Sequence, residues 1–103
     1  MNEVESLTRE VNQAAEPLAL TSVVLAARRQ LEEVIGLSTS SMLGVRSTES
    51  GWRVMVEMLE RKAVPDSMDL LGIYEVHLDA RGLLKDFTRR RLRRRQDLDG
   101  SLD

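Results

Sequence analysis

The spacing of apolar residues changes at Gly36, and this change constrains the fold more than any other feature of the chain. Before Gly36, apolar residues recur every three or four positions, which is the spacing of one face of an α-helix. After Gly36 they alternate with polar residues, as in strands that bury a single face. Glycine also favours a helix end, because it adopts the left-handed conformation without steric cost. The sequence therefore predicts a helix followed by a sheet.

The helix is predicted to begin near Pro17, because proline is tolerated in the first turn, where its missing N–H has no helical partner. Thr21 or Ser22 is the alternative N-cap if the helix begins later. The predicted buried stripe consists of Leu20, Val24, Ala27, Leu31, Val34 and Ile35. Such a stripe has to pack against another apolar surface.

The second part of the chain predicts a three- to four-stranded antiparallel β-meander. The expected strands are a short one over Met42–Ser47 and longer ones over 52–61, Leu70–Asp79 and Leu83–Arg93. Glycine and proline separate them, at Gly51, Pro65 and Gly82. Trp52 and Tyr74 fall on the apolar faces of their strands, so we expect both in the core rather than at an interface. The fold class is therefore α+β, with one N-terminal helix packed on the sheet.

The length of 103 residues suits one domain. We expect a flexible arm over residues 1–16, the α+β domain over 17–96 and an acidic tail over 97–103. No apolar run approaches the roughly 20 residues of a membrane span, and no signal peptide is recognisable. The absence of cysteine excludes a disulfide scaffold and a thiol nucleophile, and it fits a cytoplasmic protein.

Arginines dominate the last predicted strand. Six of the seven residues from Arg89 to Arg95 are arginine, interrupted by Leu92. Guanidinium groups bind carboxylates and phosphates through paired hydrogen bonds, so this segment predicts a partner-binding surface. The alternative is a solvated strand end that is neutralised by Asp97 and Asp99. Nucleic acid fits this segment less well as a partner, because the net charge is −2 and aromatic residues for stacking are scarce.

The carboxylates do not form a recognisable catalytic pattern. Glu57 and Glu60 are three residues apart, which places them on opposite faces of a strand, and we expect Glu57 to pair with Arg89 or Arg91. Glu75, His77 and Asp79 share a face, but no second cluster completes a metal site. The sequence carries no phosphate-binding loop and no nucleophile motif. We therefore predict no enzyme activity, no cofactor and no metal.

The order of motifs along the sheet resembles the O family of gas vesicle proteins (GvpO). Gly51-Trp52 opens a strand that ends in Val56-Glu57-Met58-Leu59-Glu60, and Pro65-Asp66 with Asp69 forms the next loop. Tyr74-Glu75-Val76-His77-Leu78-Asp79, the Gly82 turn and the arginine run complete the pattern. Phe87 and Leu92 stand where that family often has tyrosine. The structural motif is thus carried by Trp52, Pro65, Asp69, Tyr74, Asp79 and Gly82.

The resemblance implies a cytoplasmic accessory protein associated with gas vesicles and needed for their assembly. Such a protein acts through contacts with other accessory proteins and with the main shell protein. The predicted partner-binding residues are Arg89, Arg91, Arg93, Arg94, Glu57 and Glu75. Two other functions stay open, a nucleic-acid-binding regulator and a PepSY-like inhibitory or chaperone module. The exposed sheet edges also leave homodimer formation open.

Overall fold

A computed structural model describes residues 19–97 of the chain. Within this range the helix α1 spans Leu20–Ile35, and the strands are β1 Ser38–Thr48, β2 Gly51–Arg61, β3 Leu70–Asp79 and β4 Leu84–Arg94. Two short 3₁₀ turns occupy Asp66–Met68 and Arg95–Asp97. The α+β prediction is confirmed. The expected arm over 1–16 and, apart from Asp97, the expected tail over 97–103 lie outside the described residues. The helix begins later than the predicted Pro17, since Ala19 before it is still extended.

The four strands form one antiparallel sheet in the order β1-β2-β3-β4, so β1 and β4 are its edges. β1 is longer than the predicted Met42–Ser47, because Ser38 and Thr39 already pair with Leu59 and Met58 of β2. The serine and threonine side chains at its start gave no apolar alternation in the sequence. The sheet is thus a regular meander of long strands.

The core lies between α1 and one face of the sheet. Its fully buried residues are Val23, Ala27, Leu31, Val54, Val56, Met58, Val76 and Leu78, with Tyr74 nearly so. Trp52 is half-buried and packs against this core, as expected. The strands of the sheet therefore supply most of the buried core residues.

The predicted helix stripe was partly wrong. Leu20 and Val34 are each 57% exposed, and Val23 is fully buried in their place. The helix begins after Ala19 without a side-chain cap, so Thr21 and Ser22 lie in its first turn rather than at the N-cap. Its end at Gly36, with φ of 73°, follows the prediction. A packed helix buries only the residues that face the sheet, and the apolar residues of α1 exceed that number.

The Gln30 side chain attaches α1 to the β3–β4 hairpin. Its Nε2 donates to the backbone oxygen of Gly82 at 2.8 Å, and its Oε1 accepts from the backbone N–H of Leu84 at 2.9 Å. Asp79 closes the hairpin by accepting from the N–H groups of Arg81 and Leu83. Gly82 has φ of 90°, a conformation that favours glycine. The turn predicted over Asp79–Gly82 is confirmed, and the Gln30 side chain of α1 holds it in place.

The sheet has two chemically different faces. The face toward α1 carries the core residues, whereas the opposite face, here called the outer face, carries alternating apolar and charged side chains. Across β2 and β3 the outer face presents Arg53, Met55, Glu57, Leu59, Leu71, Ile73, Glu75 and His77. This face and the edge strand β4 hold nearly all the residues that the sequence marked as functional.

Candidate interaction surface

A β-bulge distributes the arginines of β4 between the two faces of the sheet. Ile73 pairs with Arg91, but the next residue, Tyr74, pairs with Arg89, so Arg90 is the extra residue of the bulge. Arg89 consequently lies on the helix side, while Arg91 and Arg93 lie opposite outer-face residues. Strict alternation along the strand would place Arg89, Arg91 and Arg93 on the same face.

Glu57 and Arg93 form a buried ion pair on the outer face. Their side chains are only 6% and 9% exposed, and Ser41 Oγ donates a further hydrogen bond to Glu57 at 3.2 Å. The pairing differs from the predicted partners Arg89 and Arg91. In the register, Arg93 lies opposite Leu71, which is fully buried beside the pair. Two charges and a leucine thus form a desolvated patch on the face that does not contact α1.

Glu75 is the centre of a second charged group on the outer face. Its carboxylate contacts Arg90 Nε at 3.0 Å, His77 Nε2 at 3.0 Å and Arg53 at 3.9 Å. The other ring nitrogen of His77, Nδ1, lies 2.5 Å from a carboxylate oxygen of Asp86. Because an imidazole flanked by two carboxylates is favoured with both nitrogens protonated, the pKa of His77 is raised, chiefly by Asp86. Glu75 and His77 therefore belong to an ion-pair network, and Asp79 of the same strand belongs to the hairpin turn.

Glu60, Tyr74 and Arg89 meet on the helix side of the sheet. The Tyr74 hydroxyl donates to Glu60 at 2.6 Å, and Arg89 lies 3.6 Å from the same carboxylate oxygen. Burial, followed by the bond to Glu60, raises the pKa of Tyr74 to about 12. Gly72 makes room for this group, because a Cβ there would lie 2.2 Å from Glu60 Oε2. Glu57 and Glu60 thus lie on opposite faces, as the sequence predicted.

Asp69 ties the β2–β3 loop to the end of β4. It is 1% exposed, accepts from the Ala63 N–H at 2.8 Å and pairs with Arg95 at 3.1 Å. These contacts, above all the Ala63 hydrogen bond, lower the pKa of Asp69. Arg94 donates to the backbone oxygen of Met68 in the same loop, and Pro65 precedes the 3₁₀ turn there. The motif residues Pro65 and Asp69 therefore shape one loop.

The predicted partner-binding residues do not form one uniform patch. Glu57 and Arg93 are buried together, Glu75 is mostly covered by its neighbours, and Arg89 lies on the helix side. Arg91 and Arg94 are exposed on the edge strand. Gln30, which connects α1 to the β3–β4 hairpin, was not marked by the sequence, because a lone amide carries no periodic signal. Among residues 19–97, no three histidine, aspartate or glutamate side chains are placed to hold a metal ion.

Comparison with known proteins shows the family to which this chain belongs. The sequence profile of a family described as gas vesicle synthesis protein GvpO matches residues 6–99. This chain belongs to the GvpO family. The match spans all the strands and loops described above, including the paired carboxylates and arginines of the outer face.

Three relatives of the GvpO family align over most of this chain. Gas vesicle protein O of Streptomyces sp. (strain CB03234) is 43% identical over 79 residues, 77% of this chain and 60% of the relative. Gas vesicle protein O1 of Halobacterium salinarum is 35% identical over 67% of this chain and 58% of its own length. Gas vesicle protein O of Haloferax mediterranei is 31% identical over 82% of this chain and 61% of its own. The chain therefore spans about three fifths of these relatives.

No solved structure matches this chain. In the described part of the chain, α1 is too short and too polar to cross a membrane.

Proposed function

We propose that this protein is a non-enzymatic accessory protein of gas vesicle assembly, which acts in the cytoplasm through contacts with other gas vesicle proteins, accessory proteins and the shell protein among them. Its membership of the GvpO family is the observation that carries this proposal. The names of the Streptomyces, Halobacterium and Haloferax relatives support it. The carboxylates Glu57, Glu60 and Glu75 support the non-enzymatic part of the proposal, because each is paired with an arginine of β4.

The proposed contact surface is the exposed edge of β4, centred on Arg91 and Arg94. Both arginines are exposed, and Arg89 and Arg90 next to them keep about half of their side-chain surface in contact with solvent. Guanidinium groups in this state can still donate hydrogen bonds to an acidic helix or tail. The buried Glu57 and Arg93 hold the strand in position and do not contact the partner in this proposal.

A phosphate backbone is a less suitable partner for this strand. Arg89, Arg90, Arg93 and Arg95 each lie within ion-pair distance of a carboxylate of β2, β3 or the β2–β3 loop. Nucleic-acid binding relies on arginines and lysines that neutralise phosphates and release counterions. Here much of that charge is already neutralised within the sheet.

Deletion of the gene in a host that carries the whole gas vesicle cluster tests the proposal. We expect gas vesicles to be lost and to return with the wild-type gene, but not with the Arg91→Glu/Arg94→Glu variant. An Arg29→Glu/Arg81→Glu variant changes the net charge equally at exposed positions outside β4 and should restore vesicles. Circular dichroism of both purified variants confirms that they fold. Normal vesicles in the deletion strain would refute the assembly role, and rescue by the Arg91/Arg94 variant would refute the β4 surface.

A further inference from the structure

The two edges of the sheet are protected to very different degrees. Natural edge strands carry charges that prevent pairing with another strand, and β4 follows this rule with five arginines. β1 at the other edge spans Ser38–Thr48 and carries Arg46 as its one charged residue. About half of the backbone N–H and C=O groups of an edge strand point away from the sheet. Within the described part of the chain, nothing pairs with that side of β1.

The apolar core continues to the β1 edge. Met42 and Val45 are half-buried and pack against the core from the helix side, and Leu43 is 50% exposed beside them. The core also reaches β4 at the other edge, through Leu84 and Phe87, but the charged side chains of that strand protect it from pairing. At β1 the core ends at a hydrogen-bonding edge with a single charged residue, which favours its continuation into a further strand.

We propose that this edge pairs with β1 of a second copy, antiparallel and about a two-fold axis. Such an interface is self-complementary, because each copy contributes the same strand. The two sheets then join into one sheet of eight strands. The two helices cover the same face of this sheet, and the two cores become continuous across the interface. The proposal concerns the isolated protein and does not rest on its role in gas vesicles.

The bulges of β1 specify the register of this pairing. They lie at Ser40 and Leu43, so the residues of β1 on the helix side are Thr39, Met42, Val45 and Ser47. A two-fold axis at Met42 places Met42 opposite itself and Thr39 opposite Val45 of the second copy, so helix-side residues pair with helix-side residues, and Ser47 lies beyond the paired stretch. The same register places Arg46 opposite Ser38, so like charges do not meet. An axis at Leu43 would instead place Met42 opposite the outer-face residue Gly44.

Light scattering and sedimentation of the full 103-residue chain provide the first test. We expect a dimer whose dissociation constant changes little with salt, since the paired strands are nearly uncharged. Leu43→Lys should raise that constant about tenfold or more by adding charge beside the axis. Leu92→Lys is the matched control, because Leu92 is 44% exposed on the opposite edge strand, and it should leave the dimer intact. A wild-type chain that stays monomeric at its solubility limit would refute the proposal.

Cysteine cross-linking tests the register. The sequence has no cysteine, so any disulfide between two chains must form through the introduced residue. Directly opposite strand residues have Cα atoms about 4.5–5.5 Å apart, within disulfide reach, whereas diagonal neighbours are mostly too distant. Mild oxidation should therefore link Met42→Cys chains into dimers, and Leu92→Cys chains should stay single. If only Leu92→Cys chains became linked, β4 would form the contact. If linkage required a mixture of the two variants, β1 would contact β4 of the other copy. Either result would overturn the proposal.

Discussion

Arg93 differs from the other arginines of β4 because its guanidinium is almost completely buried. It faces Glu57, which is equally buried, and Leu71 lies beside them without any exposed surface. Removing one partner of a buried ion pair leaves an uncompensated charge, whereas removing both together is far less costly. The outer face of the sheet is therefore sensitive to single substitutions at this position.

We predict that Arg93→Met lowers the free energy of unfolding by about 3–5 kcal/mol. Glu57→Gln in the same background should restore a large part of the loss, because it removes the unpaired charge. Arg94→Met, at the exposed neighbouring position, is the control and should cost about 1 kcal/mol or less. Denaturant unfolding followed by the fluorescence of Trp52, the single tryptophan, measures all three. Equal losses for Arg93→Met and Arg94→Met would contradict the assignment.

Gly72 is needed for a different reason, namely the space that the Tyr74–Glu60 group occupies. A Cβ there would lie 2.2 Å from Glu60 Oε2 and 3.0 Å from Tyr74 Cε1, so the carboxylate would have to leave the tyrosine hydroxyl. Crowding of this kind costs about 1–3 kcal/mol, and we expect Gly72→Ala to lose that much stability. Gly44→Ala has no atom within 4 Å of its Cβ and should be nearly neutral. A stable Gly72→Ala variant with an unchanged tyrosine titration would contradict this explanation.

At the scale of elements, the attachment of α1 to the sheet depends on polar contacts as well as on the core. Gln30 bonds Gly82 in the turn of the β3–β4 hairpin and Leu84 at the start of β4, and Glu32 accepts the backbone N–H of Thr39 at the start of β1. Both side chains lie at the border of the core, where water competes less effectively for these hydrogen bonds. The helix is thereby fixed relative to the two outermost strands.

Gln30→Ala should lower the free energy of unfolding by about 1–3 kcal/mol, because it leaves the Gly82 oxygen and the Leu84 N–H without their partner. Arg29→Ala, at the exposed neighbouring position, should have little effect. Hydrogen exchange adds a local measurement, since the Leu84 amide should exchange faster in Gln30→Ala but not in Arg29→Ala. Unchanged protection of that amide would show that the hairpin does not depend on the helix.

The sequence predicted the elements of this fold better than their contacts. The alternation from Trp52 to Met58 and the Asp79–Gly82 turn marked β2 and the β3–β4 hairpin almost to the residue. The buried face predicted for α1 differs from the observed one, because α1 has more apolar residues than one face can bury. The bulge at Arg90 was invisible, since the alternation rule assumes a regular ladder, and it moves Arg89 away from the face of Glu57. Alternation also could not distinguish Arg91 from Arg93, because both lie on that face. Contacts between residues far apart in the sequence, such as Gln30 and Gly82, give no signal in the spacing of apolar residues.

At the scale of the whole molecule, folding brings the basic residues near the end of the chain next to acidic residues from other segments. The basic residues of β4 pair with Glu57, Glu60 and Glu75 of the two central strands, and Arg95 pairs with Asp69. The sheet thus neutralises part of its own arginine charge, through three of the five arginines of β4. The arginines that are accessible to a partner lie along the exposed β4 edge, while β1 at the opposite edge is almost uncharged. The two edges therefore suit different kinds of contact.

Three carboxyl groups whose pKa values are lowered and one histidine whose pKa is raised together predict that the folded protein is most stable at mildly acidic pH. Hydrogen bonds from backbone N–H groups lower the pKa values of Glu32, Asp69 and Asp79, so their stabilisation is complete above the unfolded values near 4 and disappears as the pH falls below them. The pKa of His77 is raised, so its contribution is complete below about 6.5 and disappears as the pH rises through the folded value. The melting temperature should therefore decline on both sides of this window.

His77→Gln should flatten the decline above the window, and Asp69→Asn should flatten the decline below it. A His77→Gln profile parallel to the wild type from pH 5 to 9 would show that the Glu75–His77–Asp86 group does not contribute to stability.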